Sequence, residues 1–473
     1  VISGVAAAIL LWYALVSGLA APPSIPKLRA AVLPQSAAST GSAGPAELRP
    51  AGFRVRDAAT FDGAAIVSDD GGPIAEVLLH YSADSDAELG PVFRDLFASL
   101  PAGVRIQVCC PSQASVEFFA QEWGPLATAN GRDVHVVNIN RPISVWARDR
   151  RIARQQPSAQ PAASFVPTAH TTYDDEKHND LLLQTLLWPT GLVPPVALTS
   201  FYLEGGNIVS NRRHLFVGGN LFVENENRFS AADQLSSELM RLFGRPLVAL
   251  KGGDGEPPWC HVDMYLTPFD DRTLLVANPL AGAALLAEEP APAVMLDAQP
   301  PGKSEVLTYD PMAPGSEIQQ RFDDVAAQVA RLGYKVYRLP ALTNVAEDWM
   351  VTYNNVLMDR DGDRRIVYMP IYQIPELDRA AEQVYRDLGC EVHPIDVSHI
   401  YDLGGAVRCL VNVTLRKPVG TRPMGIEPVA PGTLHFHEVD AAPPREVETR
   451  AVDSTHMQRP LSDAFGAESI EEQ

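Results

Sequence analysis

Three segments of the chain repeat one plan, an amphipathic helix that stops at a glycine and gives way to an apolar strand, and this limits the possible folds more than any other feature. In the clearest copy Ser316 suits a helix N-cap with Gln319 three residues on, and Ile318, Phe322, Val325, Val329 and Leu332 then recur at spacings of four and three until Gly333. Segment 230–244, with Leu235, Leu239 and Leu242, and segment 376–389, with Leu377, Val384 and Leu388, end at glycine in the same way. Each stripe needs a core to cover. Apolar, β-branched runs at 74–80, 104–108, 133–139, 214–218, 273–277, 334–339 and 365–372 supply candidate strands. Strands alternating with helices predict the α/β class, and 473 residues suffice for two domains or one large one.

The ends differ from this middle. Residues 1–21 are apolar and uncharged, and Gly18, Ala20 and Ala21 precede Pro22-Pro23 as a processing site does, so the segment reads as a signal peptide. An uncleaved membrane anchor is the alternative, and either predicts an exported protein: periplasmic, extracellular or membrane-anchored. Residues 22–50 read as a low-complexity linker, 51–418 as the folded domain, and 419–473 as an acidic, proline-rich, disordered tail. Lys and Arg number 38 against 58 Asp and Glu, and the formal charge of −20 argues against nucleic acid and favours cationic ligands. Cysteines are five, so at least one thiol is unpaired within the chain.

Residues 403–415, LGGAVRCLVNVTL, place Cys409 between a Gly-Gly turn and an apolar run that predicts a buried strand. A cysteine there packs as a small hydrophobe as readily as it reacts. Four other stretches carry polar groups at the ends of apolar runs. Asp149 in Trp146-Ala147-Arg148-Asp149 reads as a salt-bridge residue, and Glu204 before Gly205-Gly206-Asn207 as a solvated turn. Segment 260–266, CHVDMYL, predicts a strand, which puts His261 and Asp263 on one face and Cys260 on the other. Zinc ranks low here because no second Cys/His cluster stands at a zinc spacing. Tyr353-Asn354-Asn355 leads into 359–365, DRDGDRR, which is better explained by a polar hairpin turn than by half a calcium loop.

Taken in chain order, Asp149 in WARD, Glu204 in EGGN, His261 and Asp263 in HVD, Asn355 in TYNN and Cys409 in GGAVRC resemble the agmatine deiminase and peptidylarginine deiminase families, over about residues 53–417. These are guanidine-modifying enzymes of the pentein superfamily. The resemblance implies a pentein-type five-bladed, pseudo-symmetric ring of ββαβ units in one catalytic domain. It implies Cys409 as nucleophile, His261 as acid and base, Glu204 as its orienting partner, and Asp263 with Asp149 as guanidinium acceptors. Trp146, Asn355 and Arg408 are the further substrate contacts. The implied reaction converts a guanidino group, on free or peptidyl arginine or agmatine, to a ureido group and ammonia through a thiouronium on Cys409. An amidinotransferase on the same Cys/His site, or an exported binder of cationic ligands without turnover, are the alternatives. No metal and no organic cofactor is assigned. Two departures leave the substrate open: Arg150-Arg151-Ile152 replaces the Thr-Gly-Pro that typically follows Asp149 in agmatine deiminases, and Arg408 replaces their His before the cysteine, as in arginine deiminases.

Overall fold

The three helices expected from apolar spacing form at Ala232–Phe243, Glu317–Arg331 and Pro375–Asp387. Leu235, Leu239 and Leu242 are buried on the first, Phe322, Val325 and Val329 on the second, and Leu377 with Tyr385 on the third. Beyond each stands a glycine at positive φ, 65° at Gly244, 83° at Gly333 and 81° at Gly389, where a side chain would be strained. The capping box expected at Ser316 is not made. Its hydroxyl turns to Met312, and Gln319 instead accepts from the backbone of Leu280 at 2.7 Å and donates to Asn278 at 3.1 Å.

This computed structural model describes residues 64–149, 151–156, 161–166, 183, 187, 196–199, 201–229, 231–250, 257–286, 293–298, 303–418 and 432–438. All of them fall in one of the two units into which the chain divides, Glu47–Arg450. The expected signal peptide or anchor at 1–21, the linker at 22–50 and most of the tail lie outside the described residues. Among the described residues no helix is long and apolar enough to cross a membrane.

Each helix crosses between two parallel strands, the first of which also pairs antiparallel with the strand before it. Ile208–Ser210 and Leu215–Gly218 are antiparallel, and Leu247–Leu250 returns parallel to the latter. Leu266–Pro268, Thr273–Asn278 and Lys335–Asn344 repeat this order, as do Leu357–Asp361, Arg364–Ile371 and Cys390–Asp396. A parallel return needs a crossover of a dozen or more residues, which is what a helix provides. The polar run at 359–365 spans a hairpin that turns at Gly362-Asp363, with Gly362 at φ 63°.

The fourth copy closes the chain on itself. Val411–Arg416 pairs antiparallel with Ile74–His80, and Arg105–Cys110, Asp133–Asn138 and Leu434–Glu438 add parallel strands in that order. Leu434–Glu438 lies within the segment expected to be a disordered tail, so the folded part extends past the boundary drawn at 418. Proline and acidic residues around it hide its short alternation of apolar and polar residues. Val411 pairs with Leu79, which sets the residues before Val411 at the C-terminal end of Ile74–His80.

Candidate active site

Cys409 does not sit on a strand. Val407–Leu410 is one helical turn, and the strand begins only at Val411. The cause is a side chain from elsewhere in the chain. Asn355 Oδ1 accepts the N–H groups of Arg408 at 2.8 Å and Cys409 at 3.2 Å, so these donors need no strand partner. The amide of Asn355 donates to Cys409 Sγ at 3.1 Å. Asn355 therefore holds both the turn and the sulfur.

Segment 260–266 departs from expectation in the same way. Val262–Tyr265 is a helical turn with His261 at its N-cap position, followed by the short strand Leu266–Pro268. His261 and Asp263 still converge, because both lie against Gly206. A Cβ on that glycine would stand 2.3 Å from His261 Nδ1 and 3.2 Å from Asp263 Oδ1. Cys260 turns away, with its sulfur 3.9 Å from that of Met350.

The remaining groups arrive on loops tied to these turns. Arg148 N–H donates to the carbonyl of Cys409 at 3.1 Å, and Gly205 N–H to that of Asp149 at 2.8 Å, so the WARD and EGGN loops are fastened to the cysteine turn and to each other. Trp146 packs over Gly405, where a Cβ would meet its ring at 2.5 Å. Glu204 Oε2 lies 2.7 Å from His261 Nε2, and Asp149 Oδ1 lies 3.9 Å from His261 Nδ1. Asp263 Oδ2 stands 3.8 Å from Cys409 Sγ, in hydrogen-bond range for sulfur. Asp263 is fully buried, and its Oδ1 has no hydrogen-bond partner among the described residues.

Arg408 is placed differently from the substrate contact expected of it. Its guanidinium donates to Asp263 Oδ2 at 2.7 Å, Asp69 Oδ1 at 3.0 Å and the carbonyl of Ile208 at 3.1 Å. Burial opposes its charge, but Asp69 and Asp263 outweigh burial and hold it more firmly protonated than usual. It braces Asp263 from behind. Asp69 and Gly206 were not foreseen. Asp69 sits in an ordinary Ser-Asp-Asp run, but the Gly-Gly pair after Glu204 was visible and marks the close approach at Gly206.

Two proton states follow. Burial pushes the Cys409 thiol well above its usual range, and the carboxylates of Asp263 and Asp149 push the same way, against hydrogen bonds from Ala406 and Asn355. Burial disfavours the charged imidazole of His261, yet the bond to Glu204 and the charges of Asp149, Glu204 and Asp263 raise it to about 9. Near neutral pH the site therefore holds a protonated ring and a protonated thiol. A bound cation would offset the negative charge that holds the thiol proton.

Residues 75–414 match the family of Porphyromonas-type peptidyl-arginine deiminases. The chain belongs to this family. Its members are deiminases, hydrolases acting on guanidino groups, and guanidino hydrolysis is the activity class of this chain. Among solved structures, a cysteine-to-serine variant of C. jejuni agmatine deiminase with substrate bound is 15% identical, with a TM-score of 0.53, covering 75% of this chain and 96% of that one. An Enterococcus faecalis agmatine deiminase is 13% identical, with a TM-score of 0.53, covering 76% of this chain and 97% of that one. These likenesses establish the fold of the deiminase as a mixed α/β fold shared with those agmatine deiminases. No curated protein matches the sequence.

Proposed function

We propose that this deiminase hydrolyses the guanidino group of an arginine-type substrate, free or peptidyl, to a ureido group and ammonia through a covalent intermediate on Cys409. The observation that carries the reading is the convergence of His261 and Asp263 on Gly206, with the buried Cys409 thiol 3.8 Å from Asp263 and Asp149 3.9 Å from His261. A guanidinium is planar and permanently charged, and it pairs with carboxylates through parallel N–H donors. Asp263 Oδ1 and Asp149 are the acceptors, Oδ2 of Asp263 being engaged by Arg408. Trp146 beside Gly405 supplies a flat apolar wall.

The bound cation lowers the thiol pKa, the proton leaves to solvent, and the thiolate adds to the guanidinium carbon. The tetrahedral adduct collapses as His261 gives its proton to the departing nitrogen, which leaves as ammonia. A thiouronium remains on Cys409. The neutral His261, oriented by Glu204, takes a proton from water, and the hydroxide adds to the same carbon. Collapse releases the ureido product, the thiolate and a proton that ammonia takes up.

The fold fits the five-bladed ring of this reading. The order of antiparallel pair then parallel return occurs in four sheets with their helices, and Ile152–Gln155, Pro161–Val166 and Val196–Leu198 repeat it a fifth time. The apolar segment at 1–21, read as an export signal, supports a substrate outside the cytoplasm. The mechanism is tested by acid quench of the enzyme during turnover, followed by peptide mass spectrometry. An amidine adduct on the Cys409 peptide, absent from Cys409→Ser, is expected. Turnover that leaves this peptide unmodified at every quench time would rule out the covalent route, and transfer of the amidine to an added amine would make the enzyme an amidinotransferase.

A further inference from the structure

The two edge strands of the five-stranded sheet lie four strand spacings apart, roughly 19 Å at the usual separation. Cys409 precedes one of them, and at the other edge a cluster with no part in guanidine chemistry lies between Asp133–Asn138 and Leu434–Glu438. The parallel register pairs His435 with His135, which puts Asp133, His135, His435 and His437 on one face. His435 Nε2 lies 2.8 Å from Asp133 Oδ1, and His135 Nε2 lies 3.2 Å from Asp133 Oδ2. The rings of His135 and His435 stack at 4.6 Å between centroids, and His437 stacks on His135 at 5.2 Å.

We propose that Asp133, His135 and His435 form a binding site for a divalent first-row transition metal of the zinc class, separate from the catalytic centre. One donor atom from each residue lies within 4.8 Å of the others. Donor atoms around a tetrahedral zinc sit roughly 3.3 Å apart, so the three need little movement to share an ion. Two imidazoles and a carboxylate are borderline ligands that suit zinc, copper or nickel and not calcium or magnesium, which prefer oxygen. His437 completes the arrangement. Its Nε2 lies 3.0 Å from His135 Nδ1, the ring nitrogen turned away from Asp133, so His135 bound through Nε2 donates its Nδ1–H to His437. A metal-bound histidine commonly has such an outer partner, which fixes its tautomer. Each ring binds the ion through Nε2 with its proton on Nδ1, and solvent fills the remaining coordination positions.

The ion would pin the edge strand at His435 to residues 133 and 135, some 300 positions earlier in the chain. Its consequence is stability of that strand rather than turnover. Asp133 and His435 are each 43% exposed at the side chain, so they can be substituted without opening the core.

The test is calorimetric titration of the metal-free full-length protein with zinc chloride, with magnesium and calcium chloride as controls, alongside cobalt titration followed by absorption. One equivalent of zinc is expected, with affinity reduced at least tenfold in both Asp133→Asn and His435→Ala, a smaller loss in His437→Ala, and cobalt bands without thiolate charge transfer. Native circular dichroism of each variant separates lost ligands from lost fold, and His135→Gln replaces any variant that fails it. Zinc should also slow proteolysis of the C-terminal segment in wild type and not in His435→Ala. No stoichiometric zinc binding in wild type, equal binding in both folded variants, or a thiolate band that vanishes with Cys409→Ser would overturn the proposal.

Discussion

Gly206 is the residue against which the site is built, because an imidazole and a carboxylate both pack on its bare Cα. Gly206→Ala would drive a methyl group into His261 Nδ1, and the ring must move. The expected result is a loss of turnover of at least a hundredfold with a stability cost of about 1–3 kcal/mol, read from kcat and chemical denaturation. Unchanged kcat would mean that His261 takes no part from this position. The proton on His261 gives a second prediction. Its pKa is raised in the fold from 6.5 to about 9, so the stabilisation from its carboxylate partners is complete below about 6.5 and lost as pH rises through 9. Turnover that needs the charged ring should fall on an alkaline limb near 9. Glu204→Gln removes the hydrogen-bonded carboxylate and should move that limb towards neutrality, and a limb that stays in place would separate Glu204 from the proton transfer. Residue identities were the most legible part of the site, since Cys409, His261, Glu204, Asp149 and Asp263, singled out by their order in the chain, stand close together in the fold. The place of Arg408 was not legible, because only the fold shows that Asp69 and Asp263 occupy its guanidinium.

At the scale of elements, the helices that end at a glycine were readable, whereas the fourteen-residue helix Asp86–Ser99, which ends at Leu100, and the single turns were not. Glu317–Arg331 buries Phe322, Val325 and Val329 in a rhythm that a strand cannot produce. Val407–Leu410 and Val262–Tyr265 are four residues each, too short to show a period, and their apolar residues suit a strand equally well. Distant side chains decide them, as Asn355 does for the cysteine turn. Asn412 plays a related part. Fully buried on the strand after Cys409, its amide donates to the carbonyls of Ala147 and Arg151 at 3.0 Å each, and so fastens both sides of the Asp149 loop. Asn412→Ala leaves two buried carbonyls short of a donor and should cost about 1–3 kcal/mol, read by urea denaturation. On the proposed roles it should also raise KM for a guanidino substrate more than it lowers kcat, since it loosens the Asp149 loop and not Cys409. A variant as stable as wild type with unchanged KM would show that the loop is held elsewhere.

Across the whole molecule, repetition of one supersecondary plan was legible as a class and not as an arrangement. Helix, glycine and strand recur in the sequence, whereas the antiparallel partner of Ile74–His80 lies at Val411–Arg416, more than three hundred residues on. Contacts at that separation leave no local pattern, which is also why Asp133 and His435 could not be paired in advance. The charge of −20 agrees with a cationic substrate without locating its site. The most direct test of the central claim is ammonia release with parallel ureido detection from free arginine, an arginine peptide, dimethylarginine and agmatine, comparing the protein with its Cys409→Ser variant. Ammonia and ureido product in equal amounts from at least one substrate, with at least a thousandfold loss in the folded variant, is the predicted result. Turnover that survives in Cys409→Ser, or no turnover of any guanidino compound by folded protein, would contradict it.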